Sequence, residues 1–303
     1  MLSVLIPLYN KRDSIKTTIE SVLHQTFTDF EVIVVDDGST DGSGEIVKSI
    51  NDNRIYYVRK ENGGVSSARN YGLKLVKSEL VALLDGDDLW DSEYLEQMMA
   101  LIGETPDAVL WGSGYRIQQT EEREAKVQVF SLPSNYRGYV NNYFDVACHN
   151  TLFTSSSVVL RKSVILKNGG YDESLIRGED VDLWFRLALN GRVAFLNKPM
   201  VTYCWYASNR AMNKKVDKSK CLIWNLDRYK EYEESNEQFK HMLDCWRLAH
   251  IVNYLTGWST EVFEITPLLK QMDLSKFGKR WRILKYTPHF LQRKMYSTIK
   301  CFQ

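Results

Sequence analysis

The first third of the chain alternates short apolar runs with amphipathic runs, and this pattern constrains the fold more than any other feature. The apolar runs are the predicted strands SVLIP from Ser3, EVIVV (Glu31–Val35), RIYYVR (Arg54–Arg59) and LVALL (Leu80–Leu84). Between these runs, apolar residues recur at helical spacing, as in SIKTTIESVLHQ from Ser14. Strands that alternate with helices in this way predict an α/β fold with a doubly wound, mostly parallel sheet and right-handed crossovers.

Polar residues follow directly after each of the four predicted strands. The stretches are PLYN from Pro7, DDGS from Asp36, ENGG from Glu61 and DGDD from Asp85. Because the carboxyl ends of parallel strands meet at one edge of a sheet, we expect these stretches to lie together. Ligands of doubly wound sheets bind at that edge, so the sequence predicts a binding site built from these loops.

The stretch LLDGDDLW places three carboxylates, those of Asp85, Asp87 and Asp88, at the end of a buried strand. Carboxylates this close repel one another, and a hard divalent cation such as Mg²⁺ or Mn²⁺ would stabilise them as oxygen ligands. The alternative is a helix N-terminus, where one of these acids, or Asp91, caps the helix that begins near Ser92. A cap accounts for one aspartate and leaves the others unexplained, so we favour a metal site.

The stretch VVDDGSTDGSGE begins like an EF-hand calcium loop, with acidic and hydroxyl residues at alternate positions from Asp37. The twelfth position of that loop must be a bidentate glutamate, and here it is Lys48, which excludes calcium binding of this type. A turn followed by a helix cap would use the same residue types. The functional alternative is that Asp36 or Asp37 accepts hydrogen bonds from a base or ribose, as acids do in dinucleotide-binding folds.

Two further stretches carry charged groups that we expect at the same edge. In ENGGVSSARNYG, Gly63 and Gly64 allow close backbone approach, and the guanidinium of Arg69 could reach a pyrophosphate. In RGEDVDLWFRL, the adjacent acids Glu179 and Asp180 could supply a general base. The simpler interpretations are a surface arginine after a glycine turn and a pair of acids that caps an amphipathic helix.

Composition and charge exclude several classes of protein. The 303 residues carry 39 Lys and Arg against 38 Asp and Glu, a balance that does not predict a nucleic-acid partner. The five cysteines are scattered without CxxC spacing, which predicts reduced thiols in a cytoplasmic protein rather than disulfides or a zinc site. The apolar start lacks a basic region and contains Pro7, so we expect a buried strand there and no signal peptide. No apolar run approaches the roughly 18 residues of a membrane span.

The remainder of the chain changes character at about residue 208. We predict an α/β domain over residues 1–208 and a mainly helical extension over residues 209–303. From Lys276 to Lys300 the chain is rich in Lys and Arg with interleaved aromatic residues, and no acid follows Asp273. This composition suits an anionic membrane surface. The alternatives are RNA binding and the packing of a basic helix on the acidic domain of the same chain.

Taken together, these stretches resemble the inverting family 2 glycosyltransferases of the GT-A fold. The matching pieces lie in order between Ser3 and Gly191: SVLIPLYN, SVLHQTFTDFEVIVVDDGSTDGS, ENGGVSSARNYGL, LVALLDGDDLW, GGYDESL and RGEDVDLWFRLALNG. The resemblance implies that residues 1–208 form a GT-A domain that moves a sugar from a nucleotide-diphospho-sugar, most often a UDP-sugar, to an acceptor. It also implies a divalent cation, Mn²⁺ or Mg²⁺.

The same resemblance implies a setting and an acceptor. Relatives of the bacterial surface-polysaccharide type act on a glycan or a lipid-linked saccharide. Such an acceptor fits a cytoplasmic enzyme that associates with the inner face of the cell membrane through its basic end.

The resemblance also assigns roles to individual residues. Asp180 corresponds to the catalytic base, with Glu179 beside it. Asp85 and Asp87 correspond to the two acids of the DxD motif, and Asp87 is the more direct metal ligand. The residues implied to bind the donor are Pro7, Tyr9 and Asp37 at the nucleoside, Asp36 in support, Arg69 near the pyrophosphate, and Asp85.

One part of the family pattern is absent, and two other functions compete. Many relatives carry a histidine after the strand VTYCWY, whereas this sequence continues ASNRAMN, with Arg210 as the nearby basic residue. A sugar-phosphate nucleotidyltransferase would need a glycine-rich basic loop after the first strand, and PLYNKRDS has no glycine. A non-catalytic binding protein of the same fold would have no need of a general base such as the Glu179 and Asp180 pair.

Overall fold

The computed structural model describes residues 1–120, 122–127, 129, 131–149, 152–206, 216–256, 264–288, 291–292 and 296. The chain forms two compact units, which we describe separately. The first consists of Met1–Tyr143 and Asn150–Lys214, and the second of Phe144–His149 and Lys215–Gln303. The division of the sequence at residue 208 stays a prediction, because that position lies between the described ranges.

Strands and helices alternate through the first unit, as the sequence predicts. The strands are β1 (Leu2–Leu8), β2 (Phe30–Asp36), β3 (Ile55–Arg59), β4 (Leu80–Leu83), β5 (Leu89–Trp90), β6 (Ala108–Gln118), β7 (Glu124–Lys126), β8 (Arg137–Tyr139), β9 (Val158–Arg161) and β10 (Arg192–Cys204). The helices up to this point of the chain are α1 (Ile15–Leu23), α2 (Ser43–Ser49), α3 (Val65–Leu75), α4 (Tyr94–Glu104), α5 (Tyr143–His149), α6 (Lys162–Lys167) and α7 (Glu179–Asn190).

The strands form one 10-stranded sheet in the order β3-β2-β1-β4-β9-β6-β10-β5, with β7 paired to β6 and β8 to β10. Strands β3, β2, β1 and β4 pair in parallel, which confirms the doubly wound part that the sequence predicts. Leu8 lies opposite Asp36, and Leu5 lies opposite Leu83, so β1, β2 and β4 end at the same edge. Strand β6 pairs in parallel with β10, whereas β5, β7, β8 and β9 are antiparallel to their neighbours.

The centre of the sheet is buried on both faces, which explains the continuous apolar sequence of its strands. In β1, the completely buried apolar side chains are Leu2, Val4, Leu5, Ile6 and Leu8. Full burial of one such side chain stabilises the fold by roughly 1.5–3 kcal/mol relative to an exposed one. The burial of these five side chains makes strand β1 a large contributor to the stability of the first unit.

Helix α3 packs closely on β1 at Gly72. A Cβ atom built on Gly72 would lie 2.2 Å from Leu5 Cδ1, so only glycine allows this approach. The contact fixes the distance between helix and sheet. It thereby fixes the position of Arg69, which lies about one turn earlier on the same helix.

The second unit is helical in its described part, as predicted. Beside most of α5 it contains α8 (Lys230–Ser235), α9 (Glu237–Leu255), α10 (Thr266–Gln271) and α11 (Lys279–Tyr286). The buried Arg247 pairs with Glu233 at 2.7 Å and with Asp244 at 2.9 Å, so its charge is matched inside the unit. Among the helices that the structure describes, none is both long enough and apolar enough to cross a membrane.

The cysteines depart from the prediction of unpaired thiols. In the second unit, Cys148 of α5 and Cys245 of α9 form a disulfide, with 5.4 Å between their Cα atoms. These residues are 97 positions apart, and the packing of α5 beside α9 brings them together, so the spacing in the sequence misses the pair. Cys204 and Cys221 are buried thiols that form no disulfide, as predicted, and Cys301 lies outside the described residues.

Candidate active site

Hydrogen bonds between successive loops hold the carboxyl edge of the sheet together. Asn10, which has a positive φ of 51°, accepts a hydrogen bond through Oδ1 from the N–H of Thr40 at 2.8 Å. The Ser14 hydroxyl donates to the Gly86 carbonyl at 2.9 Å. The loop after β1 is thus bonded to the loops after β2 and β4. The candidate acids on these loops lie at one edge of the sheet.

Asp36, at the end of β2, is completely buried and is bonded within the protein. Its carboxylate accepts hydrogen bonds from the N–H of Ser39 at 2.7 Å and from the Tyr57 hydroxyl at 2.6 Å. Burial, with this bond and the charge of Asp36, raises the pKa of the Tyr57 hydroxyl, so the tyrosine remains a donor. Asp36 therefore holds the turn after β2 in place, and its support of a nucleoside site stays a prediction.

Asp37 holds the glycine turn that precedes α3. Its carboxylate accepts hydrogen bonds from Lys60 Nζ at 2.7 Å, from the Gly63 N–H at 3.0 Å and from the Gly64 N–H at 2.7 Å. Gly64 has a φ of 90°, a conformation that favours glycine. The observed partners of Asp37 are all protein groups, and its contact with a nucleoside stays a prediction.

The predicted metal-binding acids lie on the loop between β4 and β5, each beside a basic side chain. Lys11 Nζ forms an ion pair with Asp87 Oδ2, and both side chains are mostly buried. Arg69 Nη2 lies 2.7 Å from Asp85 Oδ1, and 31% of the Asp85 side chain is exposed. Two carboxylates on one short turn, with Asp85 reaching solvent, form the oxygen donor set that Mg²⁺ and Mn²⁺ prefer. The residues present therefore fit a divalent cation.

Asp88, the third acid of this loop, has a structural role that was not predicted from the sequence. Its buried carboxylate accepts hydrogen bonds from the Ser156 hydroxyl at 2.5 Å and from the Cys204 N–H at 3.0 Å. Burial, followed by the charges of Asp87 and Asp85, raises the pKa of Asp88 well above its usual range. Asp88 ties the acidic loop to the end of β10. A third carboxylate beside the DxD pair is the sequence signal that could have found it.

Arg69 lies between the acidic loop and the acids that begin α7. Its side chain is only 2% exposed, with Nη2 on Asp85 and Nη1 3.4 Å from Glu179 Oε1. The guanidinium also lies over the ring of Tyr171, 5.1 Å from the ring centroid. These contacts make Arg69 a buried bridge between two acids, and its contact with a pyrophosphate stays a prediction.

Glu179 and Asp180 occupy the first turn of α7, where both carboxyl groups are mostly buried. Burial raises the pKa of Glu179 to about 7; the charge of Asp180 adds to this rise and Arg69 opposes it. Burial also raises the pKa of Asp180, again against the effect of Arg69. Asp180 Oδ1 accepts a hydrogen bond from the Val181 N–H at 2.8 Å, and Oδ2 lies 3.5 Å from Ser155 Oγ. Acids with raised pKa values at the ligand edge of a sheet are candidates for proton transfer.

The stretch GGYDES, just before α7, is fastened to α3 by Asn70. The Asn70 amide donates to the Tyr171 carbonyl and to Glu173 Oε1, both at 2.9 Å, and accepts from the Tyr171 N–H at 2.8 Å. Gly170 has a φ of 71° and leaves no room for a Cβ beside Asn70. The motif therefore positions the start of α7, and with it the predicted base, relative to α3.

Pro7 and Tyr9 border the same edge. Pro7 lies opposite Val35 in the β1–β2 ladder, and Tyr9 is 37% exposed. An exposed aromatic ring offers a face on which a base can stack. The nucleoside contacts of both residues stay predictions, and Arg210 falls in the segment 207–215, outside the described residues.

An α/β sheet with the Asp85 and Asp87 pair and the mostly buried Glu179 and Asp180 pair at its carboxyl edge agrees with a glycosyltransferase of the GT-A type. The sequence model of the family described as "Glycosyl transferase family 2" matches residues 3–169, which is more than half of the chain. The chain belongs to this family, as its motifs predict.

Curated relatives agree with this assignment. Glycosyltransferase GlyA of Streptococcus pneumoniae is 36% identical over 122 residues, which are 40% of this chain and 18% of GlyA. WfaP of Escherichia coli, named as a UDP-Glc:alpha-D-GlcNAc-diphosphoundecaprenol beta-1,3-glucosyltransferase, is 33% identical over 194 residues, or 63% of this chain and 71% of WfaP. The chain spans between 18% and 63% of GlyA and of three Rickettsia glycosyltransferases, so it corresponds to part of each of these proteins.

A solved structure shows the same fold. The crystal structure of S. aureus TarS 1-349 in complex with UDP-GlcNAc has a TM-score of 0.77 to this chain, at 19% sequence identity. The match covers 100% of this chain and 92% of the TarS chain. It confirms the predicted GT-A fold with a helical C-terminal part.

Proposed function

We propose that this protein transfers one sugar, with inversion, from a nucleotide-diphospho-sugar to a hydroxyl of a glycan or lipid-linked acceptor. The observation that carries the proposal is the bridge of Arg69 between Asp85 of the DxD pair and Glu179, the neighbour of Asp180. It brings an acid suited to a cation and an acid pair suited to proton transfer to the same guanidinium. A donor diphosphate and an acceptor hydroxyl would react at such a place.

UDP is the nucleotide that we propose for the donor. TarS is in complex with UDP-GlcNAc, and the name of WfaP specifies UDP-Glc as its donor. In this chain, Pro7, the exposed ring of Tyr9 and the loop held by Asp37 would contact the nucleoside, with Asp36 in support. In this arrangement the diphosphate of the donor would lie near the acidic loop that carries Asp85 and Asp87.

Asp87 and Asp85 would hold a divalent cation, Mn²⁺ or Mg²⁺. When bound, the cation supplies positive charge that stabilises the departing diphosphate. Arg69 positions Asp85 through its 2.7 Å ion pair, and its own charge acts in the same direction on the diphosphate. Asp88 keeps the loop in place through Ser156 and the backbone of Cys204.

Asp180 is the general base of this proposal. Its carboxylate accepts the proton of the acceptor hydroxyl while that oxygen bonds to the anomeric carbon and the bond from carbon to diphosphate oxygen breaks. Attack from the side opposite the leaving group inverts the configuration. Burial raises the pKa of Asp180, which makes its carboxylate a stronger base. Glu179 precedes Asp180 on the first turn of α7 and pairs with Arg69. We therefore assign it the role of positioning the base.

The acceptor that we propose is a lipid-linked saccharide at the inner face of the cell membrane. The support comes from WfaP, whose name gives a diphosphoundecaprenol-linked acceptor, and from the surface of α11. That helix exposes 49% of Ile283 and 82% of Tyr286, with Arg282 exposed nearby. Apolar and basic side chains together suit an anionic lipid surface. Arg293, Lys294 and Lys300 of the basic end lie outside the described residues.

Donor binding and donor hydrolysis, measured with a panel of nucleotide sugars, test this proposal. We would assay the full chain with Mn²⁺, with Mg²⁺ and with a chelator, and compare wild type with Asp180→Asn. The matched control is Asp107→Asn, because Asp107 is an exposed aspartate away from the site. We expect one donor to bind in the presence of metal and to be hydrolysed slowly, with Asp180→Asn removing turnover but keeping binding.

The other outcomes identify the competing functions. Binding without hydrolysis or transfer by wild type would identify a non-catalytic nucleotide-binding protein. Release of pyrophosphate from a nucleoside triphosphate and a sugar phosphate would identify a nucleotidyltransferase. If no nucleotide sugar binds with or without metal, the acids after β4 are structural and the proposal is wrong.

A further inference from the structure

A second cluster of ligating side chains lies in the helical unit. Cys148 of α5 and His241 and Cys245 of α9 each offer one ligand atom, and these atoms lie within 4.8 Å of one another. His241 and Cys245 are four residues apart on one helix, a spacing that puts two side chains on the same face. In the described part of the chain, no other three residues of the types His, Cys, Asp and Glu come so close.

The chemistry of this cluster differs from that of the acidic loop. Thiolate and imidazole ligands select Zn²⁺, whereas carboxylates select Mg²⁺ or Mn²⁺. His241 Nε2 lies 3.9 Å from Cys245 Sγ. His241 Nδ1 is buried and has no hydrogen-bond partner among the residues that the structure describes. The imidazole therefore lies beside the sulfur of Cys245, and among the described residues its Nδ1 has no hydrogen-bond partner.

We propose that the Cys148, His241 and Cys245 cluster binds Zn²⁺ when its disulfide is reduced. Reduction by a dithiol transfers two electrons and two protons to the Cys148–Cys245 bond, which gives two thiols and one oxidised dithiol. Zinc then displaces the two thiol protons and takes both sulfurs and one imidazole nitrogen as ligands. Three protein ligands leave one position of the tetrahedron for water.

The consequence is a metal site that switches with the redox state of the chain. Oxidation to the observed disulfide consumes both thiolates and leaves His241 alone, which cannot hold zinc. Both forms connect α5 to α9, one through a covalent bond and the other through the metal. The site lies in the second unit, and it does not depend on the proposed transferase activity.

Zinc uptake by the full chain tests the proposal. The chain is reduced with dithiothreitol, freed of reductant and metal under anaerobic conditions, and titrated with ZnCl₂; bound zinc is then measured by mass spectrometry of the element. We expect about one zinc per reduced chain and at least tenfold weaker binding by Cys245→Ser or His241→Ala. The control is Cys221→Ser, because Cys221 is a buried thiol of the same unit that lies outside both the disulfide and the cluster.

A second measurement needs no variant. Co²⁺ bound through two thiolates gives charge-transfer absorption in the near ultraviolet, and zinc should protect Cys148 and Cys245 of the wild type from alkylation. Peptide mapping identifies the protected residues. The proposal is wrong if the reduced wild type takes up no zinc, if Cys245→Ser keeps it, or if the oxidised chain binds it equally well.

Discussion

At the scale of single residues, Lys11 offsets the negative charge of a predicted metal ligand. Its ammonium group forms an ion pair with Asp87, and the two side chains are 15% and 13% exposed. A divalent cation that binds Asp87 competes with this lysine for the same carboxylate. Lys11 therefore offsets the charge of Asp87, and its removal leaves Asp87 with a stronger preference for an added cation.

We expect Lys11→Met to increase the affinity of the donor-free protein for Mn²⁺. Loss of a partly buried ion pair corresponds to about 1 kcal/mol, or about fivefold in the dissociation constant. Calorimetric titration with MnCl₂ measures the effect. Lys16→Met is the control, because Lys16 is a largely exposed lysine that pairs with Glu20 on α1. An unchanged or weaker affinity in Lys11→Met would contradict this account.

At the scale of elements, the contact of α3 with the sheet decides where Arg69 lies. Gly72→Ala should lower the free energy of unfolding by roughly 1–3 kcal/mol, because the added methyl would lie 2.2 Å from Leu5 Cδ1. This loss exceeds the gain of up to about 1 kcal/mol that alanine brings to a helix. Urea unfolding measures the change.

Gly103 in α4 provides the opposite case. A Cβ built there meets no atom within 4 Å, so Gly103→Ala should stabilise the protein by up to about 1 kcal/mol. Both substitutions replace a helical glycine by alanine, and only the contact with the sheet distinguishes them. Equal effects of the two changes would show that α3 can move away from β1 without cost.

The parallel strands could be predicted because burial on both faces leaves a continuous apolar run, as in β1 and β2. Strands β5 and β8 could not, because segments of two and three residues carry no periodicity. The sequence also placed Asp85, Asp87, Glu179 and Asp180 at one edge. It could not show the bridge of Arg69 between Asp85 and Glu179, since that contact depends on where α7 begins in space.

At the scale of the whole molecule, the raised pKa of Glu179 makes stability depend on pH. Burial raises this pKa from 4.5 to about 7, so the folded state holds the proton more tightly than the unfolded state. Below about pH 4.5 the carboxyl group is protonated in both states and this group has no effect. Wild type therefore loses stability relative to Glu179→Gln as pH rises from about 4.5 to about 7.

The expected change in this difference is on the order of 3 kcal/mol, and it is complete above about pH 7. Urea unfolding of both proteins across this pH range measures it. Since Gln also lacks the ion pair with Arg69, only the pH dependence of the difference is informative, and not its absolute value. A difference that is constant between pH 4 and pH 8 would contradict the raised pKa of Glu179.

Because Asp85 and Glu179 share the single charge of Arg69, the proposed binding of metal at Asp85 and the binding of a proton at Glu179 are linked. A divalent charge at Asp85 favours the ionised form of Glu179, so loading near neutral pH expels protons from the protein. By linkage, the affinity for metal must then rise with pH, to an extent set by the number of protons that metal binding releases. Under the proposed function, acidification and loss of metal would therefore act on the site through the same buried arginine, Arg69.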